Sequence, residues 1–269
     1  MKIKFIVIFV VIIFIILLIK NSSDKCKSKK FKFFKREHFN NVRPTNKIYK
    51  MYFINLDRHP DRRKYMLEQF DREKMSVNRF KAFDKKLIDD VYLDNLVNNK
   101  MLDTKENIIK KKQQGSLACL TSHTNLYKEI LNDGEGKDNI YLIFEDDCKL
   151  IPNFLNEVNK YIQHLPEDWD MVWLGYNNVK GKKINPYFYK PPAGFNNGHN
   201  SQHHCYLVNK KGAKKVLKIL FPVKKNFLNK DTILKMNFDK FNPYFLYKRL
   251  AVQDMEEFPI SDRTGQKNG

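Results

Sequence analysis

The chain alternates between short apolar segments and polar ones, and from residue 47 onward this pattern predicts strands and helices in turn. The segment IYKMYFINL, which begins at Ile48, predicts a strand, and DRHP after it predicts a break before a helix over residues 61–70. RFKAF, from Arg79, predicts a second strand. The polar residues 84–112 have no strong period and predict a variable connection.

The second half of the chain continues the same alternation. It predicts helices at 116–131, 152–165 and 211–220, strands at 140–147, 170–175 and 204–209, a loop rich in Gly, Pro and Asn at 176–200, and short strands and turns after Phe241. Strands that alternate with helices are typical of the α/β class, so we expect a mainly parallel central sheet. Residues 47–269 have a length that fits one such domain.

One predicted strand, IYLIFEDD at residues 140–147, ends in three consecutive carboxylates. Open α/β sheets bind ligands at the carboxyl ends of their strands, and clustered oxygen ligands suit Mg2+ or Mn2+. Successive side chains of a strand point to opposite faces, so we expect Glu145 and Asp147 on one side and Asp146 on the other. A solvated turn is the alternative interpretation of these three residues alone.

The N-terminal segment is the most apolar part of the chain, because Phe5 to Ile19 form an unbroken apolar run of about 15 residues. This run is shorter than the roughly 20 residues of a transmembrane helix and within the about 7 to 15 of a signal-peptide core. Ile3 and two snorkelling lysines extend it, and no A-x-A cleavage site follows. We therefore expect an uncleaved membrane anchor at residues 1–20, with a cleaved signal peptide as the alternative, and a basic stem at residues 21–46.

The formal net charge is +20, and the first 36 residues contribute ten Lys or Arg against one Asp. A basic chain fits an anionic ligand such as a nucleotide diphosphate, a membrane or nucleic acid, and coding bias toward Lys, Asn and Ile is the alternative explanation. No RNA-binding aromatic string, zinc-finger spacing or recognition helix is visible, so we expect no nucleic-acid partner. The four cysteines form no C-x-x-C pair and indicate neither a zinc knuckle nor a disulfide framework.

The string YFINLDRHPDRR, at residues 52–63, resembles the opening motif of glycosyltransferase family 25, the group that contains lipopolysaccharide and procollagen galactosyltransferases. Further matches follow in the family's order: RFKAFD at 79–84, GSLACLTSH at 115–123, LIFEDD at 142–147, LPEDWDMVWLG at 165–175, HCYLVNKKGAKKVL at 204–217, and VQ and SD within 252–262. The resemblance covers residues 48–262, which is nearly all of the chain after the basic stem.

This resemblance implies a GT-A type nucleotide-sugar-binding fold and an inverting, Mn2+-dependent (or Mg2+-dependent) transfer of a hexose from UDP-galactose or UDP-glucose. The acceptor would be a hydroxyl group on a glycan or on hydroxylysine of a collagen-like protein. A catalytically inactive, membrane-tethered member that binds nucleotide or glycan is the alternative. An anchored sugar-handling enzyme usually lies in the endomembrane lumen, which we favour, whereas the basic residues after the apolar run favour a cytoplasmic domain.

The resemblance also implies roles for single residues. Asp147 matches the metal ligand, with Glu145 supporting it, and Asp146 is expected nearer the ribose or the donor sugar. Arg62 and Arg63 are candidates for phosphate contacts, with helix-surface ion pairs as the alternative. The other positions that match the family's donor site are Asn55, Asp57 and Arg58 at the end of the first strand, Asp84 near the uracil, and His204 beside the metal or the diphosphate.

An inverting transfer needs a general base near the acceptor hydroxyl. Asp231, in the string DTIL, resembles the family's D-x-x-L acid and is the first candidate for this base, with Asp262 as the second. The chain departs from the family's pattern at three positions, where Ser116 replaces an acidic residue and Ala118 and Lys85 replace glycines. The donor and acceptor selectivity of better-known members is therefore not carried over to this chain.

Overall fold

The computed structural model describes residues 47–106, 108, 113–134, 136, 138–177, 181–192, 202–223 and 229–261. The predicted anchor at 1–20 and stem at 21–46 lie outside these residues, as does Asp262. Within the described ranges, every helix is too short or too polar to cross a bilayer.

The described residues form six α-helices and ten strands. The helices are α1 (Pro60–Arg72), α2 (Asp90–Asn98), α3 (Gln114–Asn132), α4 (Phe154–Ile162), α5 (Lys210–Leu220) and α6 (Lys230–Met236), with a 3-10 helix at Lys85–Leu87. The strands are β1 (Ile48–Asn55), β2 (Asn78–Lys81), β3 (Ile140–Glu145), β4 (Cys148–Leu150), β5 (Met171–Gly175), β6 (Lys182–Lys183), β7 (Phe188–Lys190), β8 (Cys205–Asn209), β9 (Pro243–Leu246) and β10 (Ala251–Gln253).

The strands join in one mixed sheet with the order β2-β1-β3-β8-β5-β9-β7-β6, and β10 pairs with β4 and β5. The α/β class is therefore confirmed, but the expectation of a mainly parallel sheet is wrong. β1 runs parallel to β2 and β3, whereas β8 lies antiparallel between β3 and β5. The described part of the connection into β8 holds short strands rather than the crossover helix of a parallel neighbour, so β8 enters the sheet in the reverse direction.

The sheet divides the apolar core into two parts, and β3 contributes to both. Ile140, Leu142 and Phe144 pack on the side of α1 and α4, whereas Tyr141 and Ile143 pack on the side of α3, α5 and α6. This alternation is what a strand buried on both faces requires. The next side chain, at position 145, therefore lies on the side of α3 and α6, although it is a carboxylate rather than an apolar group.

Four described elements differ from the sequence pattern. The strands β6 and β7 lie inside the region that was expected to be a loop, and β4 follows the acidic motif directly. The helix α6 was not expected at all. It begins at Lys230 because the side-chain oxygen of Asn229 accepts a hydrogen bond from the backbone N–H of Asp231, at 2.9 Å. This cap brings Lys230 and Asp231 to the same end of the sheet as the acidic motif.

Candidate functional site

A cleft of about 370 Å³ opens where the C-terminal ends of β1 and β3 face α3 and α6. Most of its charged lining consists of residues that the sequence pattern singled out. The cleft brings together Arg62, Glu145, Asp146, Asp147, His204 and Asp231, and it adds Lys230, which the sequence pattern did not indicate. Concave sites with a few convergent polar groups are the usual place for a small-molecule ligand.

The acidic motif does not continue as a strand. β3 ends at Glu145, and Asp146 and Asp147 form a turn that leads into β4. Arg62 donates from the same nitrogen, Nη1, to Asp146 Oδ1 at 3.2 Å and to Asp147 Oδ2 at 3.4 Å. The expectation that Asp146 and Asp147 point to opposite sides is therefore wrong, because strand alternation ends where the turn begins. Arg62 forms an ion pair at the cleft rather than on the helix surface.

Asp146 is nearly buried and lies beside a second carboxylate. Asn55 donates to its Oδ2 at 2.7 Å, and Arg79 in turn donates to Asn55 Oδ1 at 3.0 Å. Burial and the neighbouring Asp147 raise the pKa of Asp146 to about 6, although Arg62 and Asn55 oppose this shift. A carboxylate with a raised pKa is one that a nearby cation would stabilise in its ionised form.

Asp147 and His204 each present a buried polar atom without a hydrogen-bond partner. Asp147 Oδ2 accepts from Gln253 at 2.9 Å, but neither Asp147 Oδ1 nor His204 Nδ1 has such a partner among the described residues. Burial raises the pKa of Asp147, with Glu145 adding to this effect, and burial lowers the pKa of His204 so that its ring stays neutral. A carboxylate oxygen and a neutral imidazole nitrogen in one cleft fit a divalent cation.

The position of His204 explains why residue 175, the last of β5, is a glycine. A Cβ atom at this glycine would overlap the His204 ring and would lie 3.0 Å from the carbonyl oxygen of Ala251. The same carbonyl is 3.4 Å from His204 Nε2. The glycine therefore allows the histidine ring to pack closely against the sheet.

Glu145 belongs to a second cluster, centred on the buried ammonium group of Lys230. The Nζ atom lies 2.8 Å from His123 Nε2, 3.2 Å from Glu145 Oε1 and 3.7 Å from Asp231 Oδ1. Lys230 is only 2% exposed. Burial lowers its pKa, but Glu145 and Asp231 outweigh that effect and hold the pKa above its ordinary value, so the amine is charged.

The hydrogen bonds of His123 follow from the positive charge of Lys230. An ammonium group can only donate, so His123 Nε2 accepts from Lys230, and the ring proton lies on Nδ1, 2.8 Å from the hydroxyl of Tyr206. Tyr127 also donates to Tyr206, at 3.0 Å. Burial and Lys230 lower the pKa of His123 to about 4. Burial acts to raise the pKa of Glu145, but the Lys230 ammonium outweighs it and holds that pKa well below its usual range.

Asp231 lies at the edge of the cleft in an ionised state. Its Oδ1 pairs with His203 Nδ1, and Lys230 lies on its other side. Burial acts to raise the pKa of Asp231, but His203 and Lys230 outweigh it and lower the pKa. The side chain is 24% exposed, so it is accessible to a ligand in the cleft. Its position stays compatible with the role predicted for it, whereas Asp262 lies outside the described residues.

Four predicted donor-binding residues lie outside the lining of the cleft as far as the described residues show it, namely Asn55, Asp57, Arg58 and Asp84. Asp57 is 54% exposed and pairs with Arg79 at 2.6 Å and with Lys81 at 2.7 Å. Arg58 Nε donates to Asp84 Oδ2 at 2.8 Å. Their roles stay predictions from the sequence pattern.

The family of this sequence is indicated by profile comparison and by curated relatives. The profile described as "Glycosyltransferase family 25 (LPS biosynthesis protein)" matches residues 48–241. Procollagen galactosyltransferase 1 of Danio rerio is 24% identical over 217 residues, which cover 79% of this chain and 34% of that protein. The Homo sapiens protein named inactive glycosyltransferase 25 family member 3 is 24% identical over 137 residues, which cover 49% of this chain and 22% of that protein.

One solved structure adds a distant likeness. Mouse xyloside xylosyltransferase 1, in its apo form, has a TM-score of 0.36 and 11% sequence identity, with 69% of this chain and 67% of that chain covered. A TM-score this low does not establish a shared fold. This chain spans between 21% and 34% of the length of the procollagen galactosyltransferases that it matches.

Proposed function

We propose, since the chain belongs to glycosyltransferase family 25, that it is a metal-dependent, inverting glycosyltransferase with a GT-A type fold. It would move galactose or glucose from a UDP-sugar to a hydroxyl group on a glycan or on hydroxylysine of a collagen-like protein. The names of the relatives support the hexose and the protein acceptor. The single observation that carries the proposal is a pair of buried atoms in the cleft, Asp147 Oδ1 and His204 Nδ1, that have no hydrogen-bond partner in the part of the chain that the structure describes.

We assign the metal to the Asp147 end of the cleft. Asp147 and His204 would hold Mn2+ or Mg2+, and Asp146 would lie beside the donor. A bound divalent cation supplies Lewis-acid stabilisation of the departing diphosphate, worth several kcal/mol. Arg62 keeps the two aspartates in place from the protein side. Glu145, which the sequence pattern grouped with the metal ligands, is held by the Lys230 ammonium instead, so we assign it a supporting role.

Asp231 is our candidate for the general base. It lines the cleft, it is partly exposed, and its lowered pKa keeps it deprotonated at neutral pH, so it can accept the proton of the attacking hydroxyl. His203, which pairs with it, fixes the orientation of the carboxylate. Asp262 remains the second candidate.

A catalytically inactive member that binds nucleotide or glycan is the second candidate function. The three positions at which the chain departs from the family's pattern, Lys85, Ser116 and Ala118, all line the cleft. One relative at 24% identity is also named as inactive. The membrane anchor is a further proposal that rests on the sequence of residues 1–20, and the lumenal location is a proposal that rests on the family resemblance together with that anchor.

Release of UDP from UDP-galactose and UDP-glucose by the full chain tests the proposal, with hydroxylysine peptides and glycans as acceptors. We expect release that requires Mn2+ or Mg2+ and that stops with excess chelator. Asp147→Asn should reduce it by roughly a thousandfold. Asp168→Asn, which removes a carboxylate that accepts from Tyr244 outside the cleft, should not. Turnover that persists in chelator would refute the metal assignment, and nucleotide binding without turnover would favour the inactive alternative.

A further inference from the structure

A second set of metal-type ligands lies on the α3 side of the cleft. Among the described residues, Cys119, His123 and Glu145 each offer one ligand atom, and these three atoms all lie within 4.8 Å of one another. Cys119 and His123 are four residues apart on α3 and so share one face of that helix. Sulfur, imidazole nitrogen and carboxylate oxygen together are a ligand set that suits Zn2+ or Co2+ rather than Mg2+.

The positive charge that a metal ion would bring to these ligands is already supplied by a lysine of the protein. Lys230 Nζ contacts two of the three ligands, at 2.8 Å from His123 Nε2 and 3.2 Å from Glu145 Oε1. The lysine is almost completely buried, and a buried ammonium group remains stable only when acceptors and opposite charge surround it. Its position is therefore determined by the same atoms that would coordinate a metal.

We propose that Lys230 is a built-in cation that closes the Cys119–His123–Glu145 site to transition metals. The divalent ion of the transfer reaction is thereby confined to Asp147 and His204. Lys230 acts as a positioning residue, since it holds Glu145 and His123 on the α3 side. The confinement of the divalent ion to Asp147 and His204 rests on the proposed function, whereas the closed metal site can be tested without any turnover.

Titration of the full chain with Co2+ under reducing conditions tests the closed site, because a thiolate bound to Co2+ gives a charge-transfer absorption that carboxylate and imidazole ligands do not. The wild type is expected to show no such band from Cys119. Lys230→Met should gain the band and bind Co2+ about tenfold more tightly or better, because the competing cation is gone. The added substitution Cys119→Ser should remove the band.

Two further variants make the result decisive. Lys215→Met breaks another lysine–carboxylate pair, that of Lys215 and Asp170 at 2.5 Å, and should gain no band. Lys230→Met with Glu145→Gln removes both buried charges, so it should fold even if the single variant does not, and it should bind Co2+ through Cys119 and His123 more weakly. A Cys119 band in the wild type, or no band in either Lys230 variant, would overturn the proposal.

Manganese-dependent UDP release by the wild type is measured in parallel, so that the two proposals can fail separately. Zn2+ is expected to inhibit release by Lys230→Met more strongly than release by the wild type. If Lys230→Met gains the cobalt band but the wild type releases no UDP, the closed site is supported and the proposed activity is refuted.

Discussion

The two ends of the acidic motif have opposite environments, although only Asp146 separates Glu145 from Asp147. Glu145 ends a strand and lies against a lysine on the α3 side, where its charge is neutralised within the protein. Asp147 lies in the following turn and keeps one buried oxygen without a hydrogen-bond partner among the described residues. The difference shows that neighbouring carboxylates acquire separate roles when a strand gives way to a turn between them.

The largest expected effect is on the Asp147 side. Asp147→Asn should reduce UDP release by roughly a thousandfold, because the loss of Lewis-acid stabilisation worth several kcal/mol is equivalent to a rate change of that order. Initial rates at saturating Mn2+ measure this effect. If Glu145→Gln reduces the rate as much as Asp147→Asn while the protein stays folded, the division between the two carboxylates is wrong.

On the Glu145 side the main effect should be on stability. Glu145→Gln leaves the Lys230 ammonium buried with only Asp231 nearby, and breaking such a pair costs about 3 kcal/mol. The free energy of unfolding in urea measures the cost. The double variant Glu145→Gln/Lys230→Met should recover part of it, since both charges are then absent. A double variant that is less stable than Glu145→Gln would contradict this explanation.

A smaller effect is expected from Gly175, which packs against the ring of the proposed metal ligand His204. Gly175→Ala should displace the His204 ring and weaken Mn2+ binding by roughly tenfold, as changes that reorient a metal ligand commonly do. A Mn2+ titration of the transfer rate gives the apparent affinity. The rate at saturating Mn2+ should change less than the affinity. Unchanged affinity in a folded Gly175→Ala variant would show that His204 is not a ligand.

The smallest effect concerns Asp57, a carboxylate on the protein surface. Lys81 and Arg79 lower its pKa from 3.8 to about 2. A folded-state pKa below the unfolded one means that the ion pairs stabilise the protein fully above the unfolded pKa and that this stability is lost as the pH falls toward 2. Asp57→Asn should flatten the decrease of the urea midpoint across that range. Weaker UDP binding by this variant would instead support the predicted donor contact.

Much of the fold followed from the sequence because the relevant segments are continuous and apolar. The strands β1, β3, β5 and β8 and the helices α3 and α5 were predicted within a few residues of their bounds. The direction of β8 was not predictable, because alternation of apolar residues is the same in parallel and antiparallel strands. Helix α6 was missed because its seven residues are too few to show a period.

The candidate site followed from the sequence only in part. The motif strings pointed to Asp146, Asp147, His204 and Asp231, and the structure brings these four into one cleft. Lys230 gave no signal, because a lysine at the start of a short polar helix is ordinarily exposed to solvent. Asp57 matched the same motif strings and pairs with Arg79 and Lys81 in the structure, so its role stays a prediction.

The amino-acid sequence by itself determined the family, the strand that ends at the acidic motif, and the face of the sheet on which Glu145 lies, because these depend on local order and on the two-residue period of a strand. Only the tertiary structure decided which carboxylate is neutralised by a buried lysine and which keeps an oxygen without a hydrogen-bond partner among the described residues. That choice depends on groups distant along the chain, such as Lys230, which is 85 residues from Glu145 and 3.2 Å from it in space. Electrostatic pairing follows spatial distance and burial, and neither can be read from the order of the residues.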